Sequence, residues 1–214
     1  GTTANLKSIS FLDSQNGYIF GPGKTFYKTT DGGNSWQNLT DSIKYSFQAM
    51  SFLDLQNGIA LQSTSYDTAI VYRTKDGGLS WNYLSKVINE NSYIELLDIY
   101  YLDENTIVTS GAIARSAVGH QSTYGGLTWS SRLKAGSSNG IAYTKTQFIN
   151  STTGFLLINS GQSSIYRSGI YKTSNSGTNW VSVGATLPLC KSIFMLDEMN
   201  GYAVGRDEFY LGGS

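Results

Sequence analysis

The sequence predicts an all-β fold, a β-propeller of four-stranded antiparallel blades. Two repeated features predict it: a five-residue apolar segment that opens each repeat, and a phrase ending in Trp that follows it. The opening segment ends at positions 13, 54, 103, 150 and 197, so it advances by 41, 49, 47 and 47 residues. Repeats of roughly 40–50 residues with four short strands each are typical of propeller blades. We therefore expect four full blades and a partial fifth.

The opening segment predicts strand A of each blade. In three repeats it is followed by a short turn and an Asn-Gly pair, at 16–17, 57–58 and 200–201. A second apolar run, strand B, comes directly afterwards. Asn-Gly is the strongest short signal for a tight hairpin turn with positive φ angles. We therefore expect strands A and B to form a hairpin with such a turn.

The second feature predicts strand C, a turn, and the start of strand D at the Trp. It occupies 27–36, 72–81 and 171–180, with a diverged copy at 120–129 in which Tyr124 replaces the Asp. The four Trp residues of the chain all lie here, 45, 48 and 51 positions apart. The Asp is expected to accept backbone N–H bonds, the Gly to take angles that a Cβ disfavours, and the Trp to pack between strands or blades. The residues with this structural role are Asp31, Gly33, Trp36, Asp76, Gly78, Trp81, Gly126, Trp129, Asn175, Gly177 and Trp180.

The repeats divide a single domain, 1–214, into blades at about 5–41, 46–86, 95–135 and 143–184, with a partial blade at 190–214. The chain opens directly before the first strand A, and its fifth repeat has no Trp phrase. A propeller with an incomplete last blade leaves a sheet edge and an apolar face exposed. We therefore expect either a fragment of a larger propeller or completion by another chain. The alternative is a five-bladed ring closed by the N-terminal residues.

The Trp phrase is the Asp box, Ser/Thr-x-Asp-x-Gly-x-x-Trp, and the chain resembles the bacterial-neuraminidase-repeat (BNR) propellers. The fuller sequence pattern, which combines the Asn-Gly hairpin with Tyr-Lys-Thr-x-Asp-Gly-Gly-x-Ser-Trp, is most similar to the photosystem II stability/assembly factor-like family. That resemblance implies the propeller fold, and the family name suggests an assembly role. The matched residues belong to the scaffold, and sialidases, xyloglucanases and sortilin-type receptors carry the same box. The box therefore specifies fold rather than function.

Composition excludes several functional classes. Lys plus Arg and Asp plus Glu are 15 each, and a neutral chain without a basic run is a poor nucleic-acid binder. No apolar run approaches the length of a membrane-spanning helix. The lone Cys190 rules out cysteine-based metal sites, and we expect neither a metal nor a cofactor. The low charged fraction, 14%, and the 15 Tyr favour a secreted, periplasmic or cell-surface protein.

The sequence assigns no catalytic residue. Five Arg and no Arg-Ile-Pro segment argue against a sialidase. Another glycoside hydrolase would need two carboxylates facing each other across a cleft. Strand A begins in the five blades at Ser8, Ala49, Asp98, Lys145 and Ser192. Asp98 and Lys145 are therefore expected to form a salt bridge at the channel mouth, and His120, aligned with strand tyrosines, is expected to be structural.

Function is expected on the face opposite the Asp boxes, because the B–C loops there, at 62–69, 111–117 and 160–169, differ in length and sequence. The candidate binding residues are Tyr66, Asp67, Asp98, Arg115, Lys145, Tyr166 and Arg167. The sequence favours a non-enzymatic interaction propeller that binds a protein or peptide partner. Two alternatives are a carbohydrate-binding or carbohydrate-active propeller, and an architectural repeat segment of a large surface protein or filament.

Overall fold

The computed structural model describes residues 3, 5–21, 23–64, 68–88, 94–113, 116–135, 143–162 and 165–205. These residues form four four-stranded antiparallel sheets and one two-stranded sheet. A single 3₁₀ turn, Thr40–Ser42, is the one helical element in the part that is described. The predicted propeller, with four full blades and a partial fifth, is confirmed.

Each sheet is one blade, and its strands follow chain order. Blade one consists of β1 (Ser8–Phe11), β2 (Gly17–Gly21), β3 (Thr25–Thr29) and β4 (Gln37–Asn38). Blade two consists of β5 (Ala49–Phe52), β6 (Gly58–Ser63), β7 (Thr68–Thr74) and β8 (Asn82–Ile88). Blade three consists of β9 (Ile94–Tyr101), β10 (Ile107–Ile113), β11 (Ser116–Ser122) and β12 (Ser130–Ala135). Blade four consists of β13 (Tyr143–Phe148), β14 (Gly154–Gln162), β15 (Ile165–Thr173) and β16 (Val181–Leu187), and blade five of β17 (Cys190–Met195) and β18 (Gly201–Gly205).

The A–B turns differ from their prediction in one respect. Positive φ angles are found at other residues, not at the Asn-Gly pairs. Gly17 lies opposite Phe11 in the β1–β2 pair, and a Cβ on Gly17 would come within 2.8 Å of the Phe11 ring. The glycine is therefore needed to make room for the ring across the strand pair. The turn itself is held by Asp13, whose Oδ1 accepts the backbone N–H of Asn16 at 2.8 Å.

The A–B and C–D turns lie at the same end of every full blade. A backbone N–H of the C–D turn donates to a carbonyl of the A–B turn at 2.7–2.9 Å in each: Gly32 to Gln15, Gly77 to Gln56, Gly125 to Asn105 and Ser176 to Thr152. The B–C connections therefore lie at the opposite end. There the predicted long loops are mostly strand, because 160–162 and 165–169 continue the β14–β15 hairpin instead of leaving it.

Neighbouring blades pack through the same positions in each repeat. In strand B, two side chains separated by one residue pack against two side chains of strand A in the next blade. At the first boundary, the Tyr18 and Phe52 rings stack with their centroids 3.8 Å apart. The strand-B pairs are Tyr18 and Phe20, Ile59 and Leu61, Val108 and Ser110, and Phe155 and Leu157, all of them buried. Facing them in the next blade are Met50 and Phe52, Ile99 and Tyr101, Thr146 and Phe148, and Ile193 and Met195.

The C–D turn of blade two fits tightly against blade one. Gly78 has a φ of +92°, and a Cβ there would come within 2.6 Å of the Phe26 ring of blade one. We expect Gly78→Ala to lose about 1–2 kcal/mol from the left-handed backbone and a further 1–3 kcal/mol from overpacking. Gly184, at φ +78° with nothing within 4 Å, is the matched control and should lose the first amount alone. Urea unfolding measures both, and equal losses would contradict tight packing at Gly78.

Candidate functional site

A salt bridge links strand A of blade three to strand A of blade four, and its position at the channel mouth stays a prediction. Asp98 of β9 and Lys145 of β13 approach with Nζ to Oδ1 at 3.0 Å. The second oxygen of Asp98 accepts the backbone N–H of Thr146 at 3.0 Å. The Asp98 side chain is 14% exposed and that of Lys145 is 39% exposed. Asp98 is therefore held from two sides, whereas the Lys145 side chain is partly exposed to solvent.

A third charged residue, Lys7 of blade one, lies near this salt bridge and was not among the residues predicted from the sequence. Its Nζ donates to the backbone carbonyl of Gln48 in blade two at 2.9 Å. Burial lowers the pKa of Lys7, the charge of Asp98 opposes this effect, and that of Lys145 adds to it. Lys7, Asp98 and Lys145 are here called the mouth cluster, in which Asp98 and Lys145 form a salt bridge and both charges affect the pKa of Lys7. The position of Lys7 directly before Ser8, where strand A of blade one begins, was the sequence signal that could have predicted its place in the cluster.

Buried polar contacts beneath the mouth cluster fix the strand that carries Lys145. The Thr146 hydroxyl lies 2.6 Å from that of Ser110 in blade three. The Tyr100 hydroxyl donates to the Thr146 carbonyl. Burial raises the pKa of Tyr100 well above its usual value, so the phenol remains a neutral donor. Lys145 therefore starts from a backbone that is anchored to blade three.

The mouth cluster is suited to binding rather than to acid–base catalysis. Both oxygens of Asp98 already accept hydrogen bonds from charged or backbone donors. Glu95, the nearest candidate for a second carboxylate, lies on the same strand as Asp98 and is exposed. Glycoside hydrolysis needs two carboxyl groups that flank the scissile bond. A lysine with spare N–H donors can instead bind a carboxylate or carbonyl oxygen of a ligand.

The structure brings together two of the predicted binding residues, Asp98 and Lys145. Tyr66, Asp67 and Arg115 lie outside the described residues. Tyr166 lies in β15, but its side chain is also outside what is described. Arg167 is an exposed residue near the turn end of the β14–β15 hairpin. A binding role for these five residues stays a prediction.

The Asp-box residues form local hydrogen-bonded turns. Asp31 accepts the Thr29 hydroxyl at 2.8 Å and, from Ser35, the backbone N–H at 2.9 Å and the hydroxyl at 2.6 Å. These bonds, led by that of the Ser35 hydroxyl, lower the pKa of Asp31 to about 2. The same bonds recur around Asp76, and Asn175 accepts the equivalent Thr173 hydroxyl and Asn179 N–H.

The turn of blade three, which has Tyr124 in place of the Asp, is held from the neighbouring blade. Ser122 Oγ accepts the Gly126 N–H at 2.8 Å, and the guanidinium of Arg73 in blade two donates to the Gly125 carbonyl. Arg73 is half-buried at this boundary between blades two and three. Gln121 repeats the link one blade later, because its side-chain amide donates to the Ser176 carbonyl at 2.8 Å.

The described residues contain no group of three or more His, Cys, Asp or Glu placed to hold a metal ion. None of their helices is long and apolar enough to cross a bilayer.

Comparison with known sequences points to photosystem II assembly factors. Residues 1–86 match the sequence model of the family described as "Photosynthesis system II assembly factor YCF48". The photosystem II assembly lipoprotein Ycf48 of Trichormus variabilis is 40% identical over 55 residues, which cover 24% of this chain and 16% of that protein. The photosystem II assembly protein Ycf48 of Thermosynechococcus vestitus is 37% identical over 54 residues, with the same coverage. The matched stretch therefore spans about a sixth of the length of these relatives.

Solved structures share the fold at low sequence identity. YCF48 bound to D1 peptide superposes with a TM-score of 0.52 at 16% identity, covering 96% of this chain and 91% of that one. YCF48 from Cyanidioschyzon merolae gives 0.51 at 13%, covering 94% and 93%. The Niastella koreensis GH74 enzyme gives 0.57 at 14%, covering 86% of this chain but 31% of the enzyme. The chain is a β-propeller whose residues 1–86 are similar to the BNR-type photosystem II assembly factors.

Proposed function

We propose that this chain is a non-enzymatic interaction propeller that binds a peptide segment of a protein partner at the face opposite the Asp boxes. The observation that carries the proposal is the salt bridge between Asp98 of blade three and Lys145 of blade four, with Lys7 of blade one near enough for both charges to affect its pKa. A structural neighbour with the same fold, YCF48, is bound to a D1 peptide, which supports a peptide as the ligand class.

The chemistry of the cluster fits a peptide. The Lys145 ammonium donates one N–H to Asp98 and has two further N–H donors for a ligand, and the Lys145 side chain is partly exposed. A peptide offers carbonyl and carboxylate oxygens to such donors. A hydrogen bond to a charged group contributes about 1.5–3 kcal/mol, which corresponds to roughly 10–100-fold in affinity. Asp98 is proposed as the residue that positions the Lys145 ammonium.

Lys145→Ala is expected to weaken binding of a fluorescein-labelled D1 peptide by roughly 10–100-fold, because it removes the exposed donor. Fluorescence anisotropy titration measures the change. Lys75→Ala is the matched control, since Lys75 is exposed in a C–D turn at the opposite end of blade two and its loss should leave affinity unchanged. Equal weakening by both variants would place binding away from the mouth cluster, and absence of binding by the unmodified chain would refute the peptide class tested.

The carbohydrate alternative is not favoured, because Asp98 is engaged in a salt bridge and Glu95 lies on the same strand. An architectural role stays a prediction. We further propose an extracytoplasmic location, which is supported by the low charged fraction and by relatives that are named lipoproteins. Immunoblotting of fractionated source cells tests it, and recovery in the cytosolic fraction would contradict it.

A further inference from the structure

Two buried polar side chains lie opposite each other in blade three. Thr109 of β10 and His120 of β11 are partners in the register of this antiparallel pair, so their side chains lie on the same face of the sheet. Thr109 is fully buried, and His120 is 6% exposed. Thr109 Oγ1 and His120 Nδ1 have no hydrogen-bond partner among the described residues. Blade three therefore places two unpaired polar groups side by side in its interior.

The face that carries this pair packs against blade two. Ile107 precedes one member of the pair by two residues along β10, and Val118 precedes the other by two residues along β11. Residues two apart on a strand share a face. Ile107 and Val118 belong to one core cluster with Val71 and Val87 of blade two. The two polar groups thus lie at an apolar boundary between blades, where an unpaired polar group is costly.

The other full blades have an apolar residue and a tyrosine at these two positions. The equivalent cross-strand pairs are Ile19 and Tyr27, Ala60 and Tyr72, and Leu156 and Tyr171. In blade two the long phenol extends away from the strand pair, and its hydroxyl donates to Gln62 Oε1 at 3.0 Å. The imidazole of His120 is shorter than a phenol, and the pair in blade three has fewer side-chain atoms than those in blades one and four.

The geometry of the pair suits a bridging molecule. Opposite residues of an antiparallel pair have Cβ atoms about 4.5–5.5 Å apart, and the hydroxyl and the imidazole do not bond to each other. A water molecule both donates and accepts, so it can pair with the Thr109 hydroxyl and with either neutral tautomer of His120. Buried waters usually bond to two or more protein polar groups that would otherwise be unpaired.

We propose that a water molecule is bound between Thr109 Oγ1 and His120 Nδ1, on the face of blade three that packs against blade two. The site selects a small neutral molecule that is both donor and acceptor, because the boundary around the pair is apolar. The water pairs both polar groups and links β10 to β11 through their side chains. This site does not depend on peptide binding at the mouth cluster.

A crystal structure of the 214-residue chain with its ordered solvent resolved tests the site directly. We expect a water oxygen about 2.7–3.2 Å from both Thr109 Oγ1 and His120 Nδ1. Thr109→Ser keeps the hydroxyl and should keep the water, whereas Thr109→Val has the same shape without the hydroxyl and should lose it. The proposal is wrong if the unmodified protein has no water between the two atoms, or if Thr109→Val retains the same water.

Urea unfolding provides a second test in solution. Thr109→Val should lower the folding equilibrium constant by roughly 2–10-fold, because it removes one partner of the bridge. A hydroxyl without a partner would give the opposite result, since valine has no polar group to pair. In a His120→Phe background the same substitution should carry no cost. Circular dichroism checks that the variants are folded. A neutral or stabilising Thr109→Val in the unmodified chain, or an equal cost in both backgrounds, would overturn the proposal.

Discussion

Trp81→Ala is expected to lower the free energy of unfolding by about 3–5 kcal/mol, the usual cost of truncating a large aromatic side chain in a core. Trp81 directly precedes strand D of blade two, β8, and lies against blade one. Its ring centroid is 6.2 Å from that of Phe26, 5.2 Å from that of Phe47 and 5.9 Å from that of Phe52. The substitution therefore leaves a cavity at the boundary between two blades.

Trp36→Ala is the matched control for this prediction. Trp36 has the same place in the repeat and is also half-buried, but among the described residues it packs against one ring, that of Phe11, with the centroids 6.1 Å apart. Because fewer contacts are lost, we expect its truncation to cost about 1–2 kcal/mol. Equilibrium urea unfolding followed by circular dichroism measures both variants. Equal losses would mean that the Asp-box Trp stabilises its own blade rather than the boundary with the preceding one.

The blades could be predicted from the sequence because strand and turn signals are local and recur with the repeat. The Asn-Gly turns show where local rules fail. The usual preference of Asn-Gly for tight turns predicted positive φ angles at residues 16 and 17. Gly17 is needed for a different reason, because a side chain there would clash with the Phe11 ring on the paired strand. The strands also extend into segments taken as loops, as at 160–162, because backbone pairing continues there despite a polar, glycine-containing sequence.

The candidate site was predicted in part for a geometric reason. Equivalent positions of a propeller lie at the same distance from its axis, so aligning strand A of the blades places Asp98 beside Lys145. The two residues are not the strand starts that the sequence predicted, because β9 begins at Ile94 and β13 at Tyr143. Lys7 lies one residue outside that alignment, and its contribution depends on how far its side chain extends toward Gln48. The burial of Arg73 was missed because it results from a contact with the next blade, about 50 residues away.

His120 should make the protein lose stability in mild acid. It is 6% exposed in β11, and Nδ1 has no hydrogen-bond partner among the described residues. Burial lowers its pKa from 6.5 to about 4. Above pH 6.5 the imidazole is neutral in both states, and its contribution is fully present. As the pH falls toward 4, the unfolded chain binds a proton that the folded chain does not, so roughly 3 kcal/mol of stability is lost.

His120→Gln isolates this effect, because His120 is the one histidine of the chain and Gln stays neutral throughout. The free energy of unfolding is measured by urea titration at several values between pH 7.5 and 4. Carboxylates with lowered pKa, such as Asp13, Asp31 and Asp54, lose their contribution at still lower pH and are present in both proteins. The unmodified chain should therefore lose stability more steeply than His120→Gln between pH 6.5 and 4. Parallel profiles would show that the imidazole becomes protonated in the folded state without the cost that its burial implies.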